Sequence, residues 1–251
     1  MAFLSFDAVS YQRENRRILD TVSFEVEQGE TMVLLGRSGS GKTTALRLIN
    51  RMLEPSSGAV LLAGRNVAEM DAIALRRKTG YVIQELGLLP HWTVEQNVGL
   101  VPRLLEWPLE KQRERARELL QQVGLEGDEL AQRKPHQLSG GQRQRVAVAR
   151  ALAAEPDLLL FDEPFGALDP ITRREMQHQL ADLSKRYHTT VVFVTHDVTE
   201  ALILASRIGV LGNGRLECVV SPDEFMRVHT PVAAAFRDTL PAAMRTARTE
   251  N

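Results

Sequence analysis

The chain has a single cysteine, Cys218, among 251 residues, so no disulfide can close within it. A reducing compartment is the natural expectation, with Cys218 a small residue in a C-terminal strand. Neither charge is in excess: 31 lysines and arginines face 32 acidic residues, a formal net charge of -1. Proteins built to hold nucleic acid usually carry a basic surplus, so nucleic acid is not the expected partner. No apolar run approaches the roughly 20 residues that cross a bilayer. The opening residues, Met1-Ala2-Phe3-Leu4-Ser5-Phe6-Asp7, have neither the basic region nor the apolar stretch of a signal peptide. A soluble protein is expected, and a membrane role would need a partner that spans the membrane. There is no internal repeat and no low-complexity tract.

What is present gathers around Gly36-Arg37-Ser38-Gly39-Ser40-Gly41-Lys42-Thr43-Thr44, which fits G-x-x-x-x-G-K-[ST]. The apolar run 31–35 before it reads as a buried strand. A helical pattern follows, with Leu46, Ile49 and Leu53 on one face and Leu48 and Met52 beside them. Glycines let the backbone curl close to an anion, and the curled N–H groups with the helix start turn positive partial charge toward phosphate. Lys42 can reach terminal phosphates, and the Thr43 hydroxyl suits Mg²⁺. The other reading is a plain glycine-rich turn, which accounts for neither the lysine nor the flanking elements.

The remaining pattern alternates strands and helices. Residues 3–9 and 18–26 read as strands, with Val22, Phe24 and Val26 alternating against Ser23 and Glu25, and 10–17 as a polar link carrying Tyr11. Turns are expected at 55–58 and 64–66, a strand at 60–63, a helix over 75–78, and a strand over 79–83 ending at Gln84. From 85 to 154 strand propensity is low, and mixed charge at helical spacing predicts an inserted helical subdomain. The run 157–161, apolar from Leu158 onward, suits a parallel strand buried on both faces. A helix over 171–187, a strand over 190–195, a helix over 200–205 and a hairpin across Gly212-Asn213-Gly214 complete the core. Short helices follow Pro222, and 243–251 are expected to fray. The fold class is therefore α/β: a P-loop core with a parallel central sheet, an N-terminal antiparallel β subdomain and an inserted α-helical subdomain. All 251 residues are read as one nucleotide-binding domain, with 1–84 and 155–235 as core, 85–154 as insert and 236–251 as tail.

Chemistry-bearing residues collect at strand ends. Asp162 and Glu163 directly follow an apolar strand, where parallel sheets bind ligands, so they are expected to face the P-loop. One acid there can hold Mg²⁺ and a second can orient or deprotonate an attacking water. The alternative is a solvated strand end. His196, with Asp197, occupies the matching place after 190–195; it is a γ-phosphate contact or a capping or core histidine. Gln84 ends another strand and has an amide for metal or water. Leu138-Ser139-Gly140-Gly141-Gln142 precedes a helix over 143–153, with Ser139 as N-cap; this is a second anion site or an ordinary cap. Two such sites suggest one nucleotide held between two copies of the chain.

Together these residues resemble the ATP-binding cassette family. Gly36 to Thr43 match its Walker A, Leu158 to Glu163 its Walker B and Leu138 to Gln142 its signature. Gln84 matches the Q-loop, Ala167-Leu168-Asp169 the D-loop, His196 the switch histidine, and Tyr11 the aromatic that stacks on adenine. The resemblance covers nearly the whole chain. It implies that Glu163 is the general base or water-orienting residue of ATP hydrolysis, and that Asp162, Thr43 and Gln84 serve Mg²⁺. It further implies that Lys42 and His196 contact the β- and γ-phosphates, while Ser139 and Gly141 close on the γ-phosphate of the opposite copy in an ATP-dependent head-to-tail homodimer. No motif position departs from the pattern, which favours an active hydrolase over a regulatory nucleotide-binding module.

A finer resemblance lies in the stretch from Gly80 to Val94, supported by the region from Pro102 to Trp107 and by Pro164-Phe165-Gly166-Ala167-Leu168-Asp169-Pro170. These stretches are similar to the ATPases of importers for glycine betaine, choline and related osmoprotectants. The resemblance implies a membrane permease docked on Leu86 to Trp92, a separate solute-binding protein, and a place on the cytoplasmic face of the cell membrane. Trp92 is either that contact or a core residue. Many relatives of this kind continue into a C-terminal regulatory extension, which the sequence does not lead one to expect here. Other expectations to be weighed are an importer ATPase for another solute, such as an amino acid, and a soluble cassette protein of DNA repair or translation.

Overall fold

The computed structural model describes residues 2–166 and 168–241. Ala167 of the D-loop match and residues 242–251 of the tail lie outside the described residues. Contacts divide the chain into two compact units. One comprises the chain up to Ala72 and from Thr190 onward, and the other is Ile73–Thr189.

The first unit begins with β1 (Leu4–Arg13) and β2 (Arg16–Val26), an antiparallel pair. The alternation read from the sequence holds: Val22, Phe24 and Val26 are buried between exposed neighbours, and Leu19 is buried further along the strand. Phe6 stacks on Phe24 with ring centroids 4.5 Å apart. The expected link over 10–17 is instead part of the hairpin, with Gln12 opposite Arg17 and Arg13 opposite Arg16. Its side chains are largely exposed on both faces, so no alternation marks it as strand. Next come β3 (Thr31–Leu35), α1 (Lys42–Ile49), β4 (Ser57–Leu62) and β5 (Arg65–Asn66). The strands assemble an antiparallel sheet in the order β2-β1-β4-β5. Arg65 and Asn66, expected within a turn, pair with Leu62 and Leu61.

The second unit opens within α2 (Ala72–Lys78), followed by β6 (Thr79–Val82). That strand ends two residues before Gln84, and Ile83 and Gln84 are both exposed. The helical block contains α3 (Val94–Val98), α4 (Leu100–Leu104), α5 (Leu109–Gln122), α6 (Asp128–Gln132) and α7 (Gly140–Leu152). Then β7 (Leu158–Asp162), buried throughout, lies parallel to β6 and leads to α8 (Pro170–Tyr187). The apolar run 158–161 within it suits a strand covered on both faces.

Back in the first unit, β8 (Thr190–Thr195) lies parallel to β3, and α9 (Val198–Leu204) follows. On its other edge β3 pairs in parallel with β9 (Arg207–Gly212), which turns through Asn213 and Gly214 into β10 (Arg215–Val220). Both turn residues have positive φ, the geometry that two-residue hairpins favour. Finally, α10 (Pro222–Phe225) and α11 (Pro231–Asp238) close the described chain. Cys218 sits half-buried in β10, where burial pushes its thiol up. No helix among the described residues is long and apolar enough to cross a membrane.

Candidate functional site

In the first unit the loop 36–41 joins the carboxyl end of β3 to α1. Its walls explain two of its glycines. A Cβ on Gly36 would lie 2.5 Å from both the Leu211 carbonyl and Ser40 Oγ. Gly41, at φ 105°, would drive a Cβ to 2.5 Å from Leu19 Cδ2. The Ser40 carbonyl accepts from Gly214 N at 3.2 Å, and the Gly214 carbonyl from Asp20 N at 2.8 Å. Arg215 reaches the Asp20 carboxylate at 2.6 Å, and Arg17 at 2.8 Å. The Arg215 hydrogen bond, with smaller help from the charges of both arginines, holds that carboxyl below its ordinary value.

The loop tip, Arg37, Ser38 and Gly39, is exposed, while Lys42 is only 4% exposed. The Lys42 ammonium donates to the Gly36 carbonyl at 2.8 Å and the Arg37 carbonyl at 3.1 Å. It thus closes the loop from inside and brings a positive charge to the start of α1, beside Thr43 and Thr44. Leu35 and Thr195 are opposite each other in the β3–β8 register, so Gly36 and His196 leave neighbouring strand ends side by side. His196 is exposed, not a core histidine, and Asp197 caps α9 through Thr199 N at 2.7 Å. Tyr11 pairs with Leu19, the residue that touches Gly41.

The second unit holds the acids. Val82 and Phe161 are in register, so Gln84 and the pair Asp162 and Glu163 emerge from adjacent parallel ends. Asp162 is 6% exposed and Tyr81 donates its hydroxyl to it at 3.4 Å. Glu163 stands at φ 45°, a left-handed conformation that costs a non-glycine residue about 1–2 kcal/mol. Strain of this kind persists where neighbours over-determine it, often at functional positions.

The 138–142 stretch forms the N-terminus of α7. Ser139 Oγ accepts from Gln142 N at 3.2 Å, and Gln142 Oε1 accepts from Ser139 N at 2.9 Å. This reciprocal capping box confirms Ser139 as the N-cap and leaves Gly140 exposed at the first turn. Asp169 caps α8 in turn, accepting from Ile171 N and Thr172 N, each at 3.1 Å. Led by the Thr172 hydroxyl, these donors hold the Asp169 carboxyl below its ordinary value. Trp92 is half-buried beneath the Arg103 guanidinium, 5.2 Å from the ring centroid, on the wall of a cavity of about 330 Å³. Two residues are invisible to motif reading. Arg150, on the last turn of α7, donates to the Leu86 and Gly87 carbonyls just beyond Gln84. Thr172 packs against Gly141. In sequence Arg150 signals itself only as a charge within the apolar run 146–152, and Thr172 gives no signal.

A family model described as ABC transporter matches residues 19–166, and the chain belongs to the ABC transporter family. That span contains the loop 36–43, the 138–142 cap and both acids, while Tyr11, Asp169 and His196 fall outside it. The glycine betaine/carnitine/choline transport ATP-binding protein OpuCA of Bacillus subtilis is 52% identical over 212 residues, 84% of this chain and 56% of the relative. The choline transport ATP-binding protein OpuBA of the same organism is 51% identical, over 84% of this chain and 55% of its own length. The osmoprotectant import ATP-binding protein OsmV of Salmonella typhimurium is 49% identical, again over 84% and 55%. The chain thus spans little more than half the length of these relatives. Among solved structures it is similar to a dimeric post-hydrolysis state of the ATP-binding cassette MJ0796 bound to ADP and Pi. The TM-score is 0.77 at 35% identity, covering 87% of this chain and 98% of that one. The fold is that of ABC ATPases, α/β with a parallel sheet and antiparallel strands.

Proposed function

We propose that the chain is the ATP-hydrolysing subunit of an importer for a quaternary-amine osmoprotectant such as glycine betaine, choline or proline betaine. The observation that carries the ATP reading is the buried Lys42 folded into a loop of N–H groups at the start of α1. A site of that kind holds a polyphosphate, with Gly36 to Thr44 around it, Tyr11 against the base and His196 at the γ-phosphate. Glu163 orients or deprotonates the attacking water. Thr43, Asp162 and Gln84 are all oxygen donors, and Asp162 is a nearly fully buried carboxylate. So few protein oxygens suit Mg²⁺, which keeps several waters and phosphate oxygens of its own. An ion held there would supply charge neutralisation on the phosphates. Ser139 to Gln142 and Asp169 complete the site from a second copy, head to tail.

The transport reading is supported by the relatives, each of which is by its name a transport or import ATP-binding protein for compounds of this class. The permease docks on the segment from Leu86 to Trp92, which Arg150 holds to α7, and so places the chain on the cytoplasmic face of the cell membrane. A solute-binding protein is an indirect partner. The test is affinity capture from source membranes of the Glu163→Gln variant trapped in MgATP. A polytopic permease recovered with a solute-binding protein bears the importer out; recovery of only soluble or nucleic-acid-associated proteins rules it out.

A further inference from the structure

The two glycines of the α7 cap differ in what surrounds them. A Cβ built on Gly140 meets nothing within 4 Å. One built on Gly141 lies 2.7 Å from Thr172 Cγ2, closer than side-chain carbons approach in folded proteins. That methyl cannot readily swing aside. The Thr172 amide is bonded to Asp169 Oδ1 at 3.1 Å, its hydroxyl bonds the same carboxylate, and a β-branched residue has few rotamers in a helix. Nor can α7 and α8 simply move apart. Arg145 on α7 bonds Gln179 Oε1 at 2.6 Å and Glu175 Oε2 at 3.0 Å on α8, and the Val123 carbonyl at 2.8 Å.

We propose that Thr172 is the positioning residue of the Ser139 to Gln142 cap: its methyl, locked by Asp169, sets the distance from the first turn of α7 to the start of α8. This contact within one chain, and not only close approach of a phosphate, is why position 141 is glycine. The proposal rests on the ATPase reading above for its kinetic consequence, though not for the packing itself. A shift of the cap by a few tenths of an ångström displaces Ser139 Oγ and the first amides of α7, the groups that would meet the γ-phosphate.

A double-mutant cycle on the full chain, read as MgATP turnover, tests this. Gly141→Ala is expected to lower kcat about 10- to 100-fold, the scale of a small misplacement at a reacting centre. KM for MgATP changes by less than about twofold, because a group that acts in the transition state affects kcat. Thr172→Ser removes the methyl and keeps the hydroxyl. It lowers kcat about threefold in the native background but raises it about tenfold in the Gly141→Ala background, the sign reversal of directly coupled residues. Thr172→Val keeps a methyl and restores nothing. If Thr172→Ser fails to restore Gly141→Ala, or if Gly141→Ala is as active as the native chain, the proposal falls. Should the native chain prove unable to hydrolyse MgATP, the same proteins melted without nucleotide decide the packing separately: recovery of the Gly141→Ala Tm by Thr172→Ser supports it, and additive losses overturn it. If Gly141→Ala does not fold, the yield of folded double variant is the readout.

Discussion

Lys42 shows how a single residue serves structure before function. Lys42 is almost wholly buried, and two backbone carbonyls of the loop accept from its ammonium, which offsets the cost of taking the charge out of water. The charge that would meet a phosphate therefore already has its direction set by the loop. Asp169 offers a measurable case of the same kind. Its carboxyl is held below its ordinary value, chiefly by the Thr172 hydroxyl and then by the amides it caps. A depressed carboxylate contributes stability that is fully present above its unfolded pKa and is lost as pH falls through the lower, folded one. The native chain should thus lose part of its stability as pH drops below about 4, the range of an unperturbed aspartate. Asp169→Asn, which cannot titrate, should show a shallower acid limb. Urea melts across pH 3–7 on both proteins check this, and parallel acid limbs would contradict it.

At the scale of elements, α5, α7 and α8 are tied by two arginines that point in opposite directions. Arg145 runs from α7 to the Val123 carbonyl at the end of α5 and to Gln179 and Glu175 on α8. Arg115 runs from α5 to Glu118, to the Leu152 carbonyl at the end of α7, and over the Tyr187 ring on α8. Removing Arg145 leaves a carbonyl and an amide oxygen without their donor at a site where the side chain is 13% exposed. Arg145→Met should cost about 1.5–3 kcal/mol, the range for hydrogen bonds to a charged group. Thermal melts should show it as a fall of several degrees, whereas an unchanged Tm would mean the tie contributes nothing. Such ties mark the limit of what the sequence reveals. The strands at 31–35 and 190–195, the glycine loop, the paired acids and the Ser139 cap are legible because each is a local pattern of burial, turn chemistry or capping. The 10–17 hairpin end is not, because its exposed side chains carry no period. Arg145, Arg150 and Thr172 are not, because the contacts each makes to another segment lie 22 or more residues away in sequence and only the packed helices bring them together.

For the whole molecule, family membership rests on the matched span and on close relatives, while activity rests on what the two units carry. One presents a lysine-closed loop at a helix start with His196 beside it, and the other a buried aspartate, a strained glutamate and a capped serine–glycine turn. The central claim is that these groups hydrolyse ATP. Phosphate release from MgATP by the purified full chain tests it most directly, with Glu163→Gln and Lys42→Ala alongside. The native chain should turn over steadily, Glu163→Gln about 10²- to 10⁴-fold more slowly, the contribution of a positioned general base, and Lys42→Ala not measurably. A native chain no faster than buffer, or a Glu163→Gln variant as fast as the native chain, would contradict it.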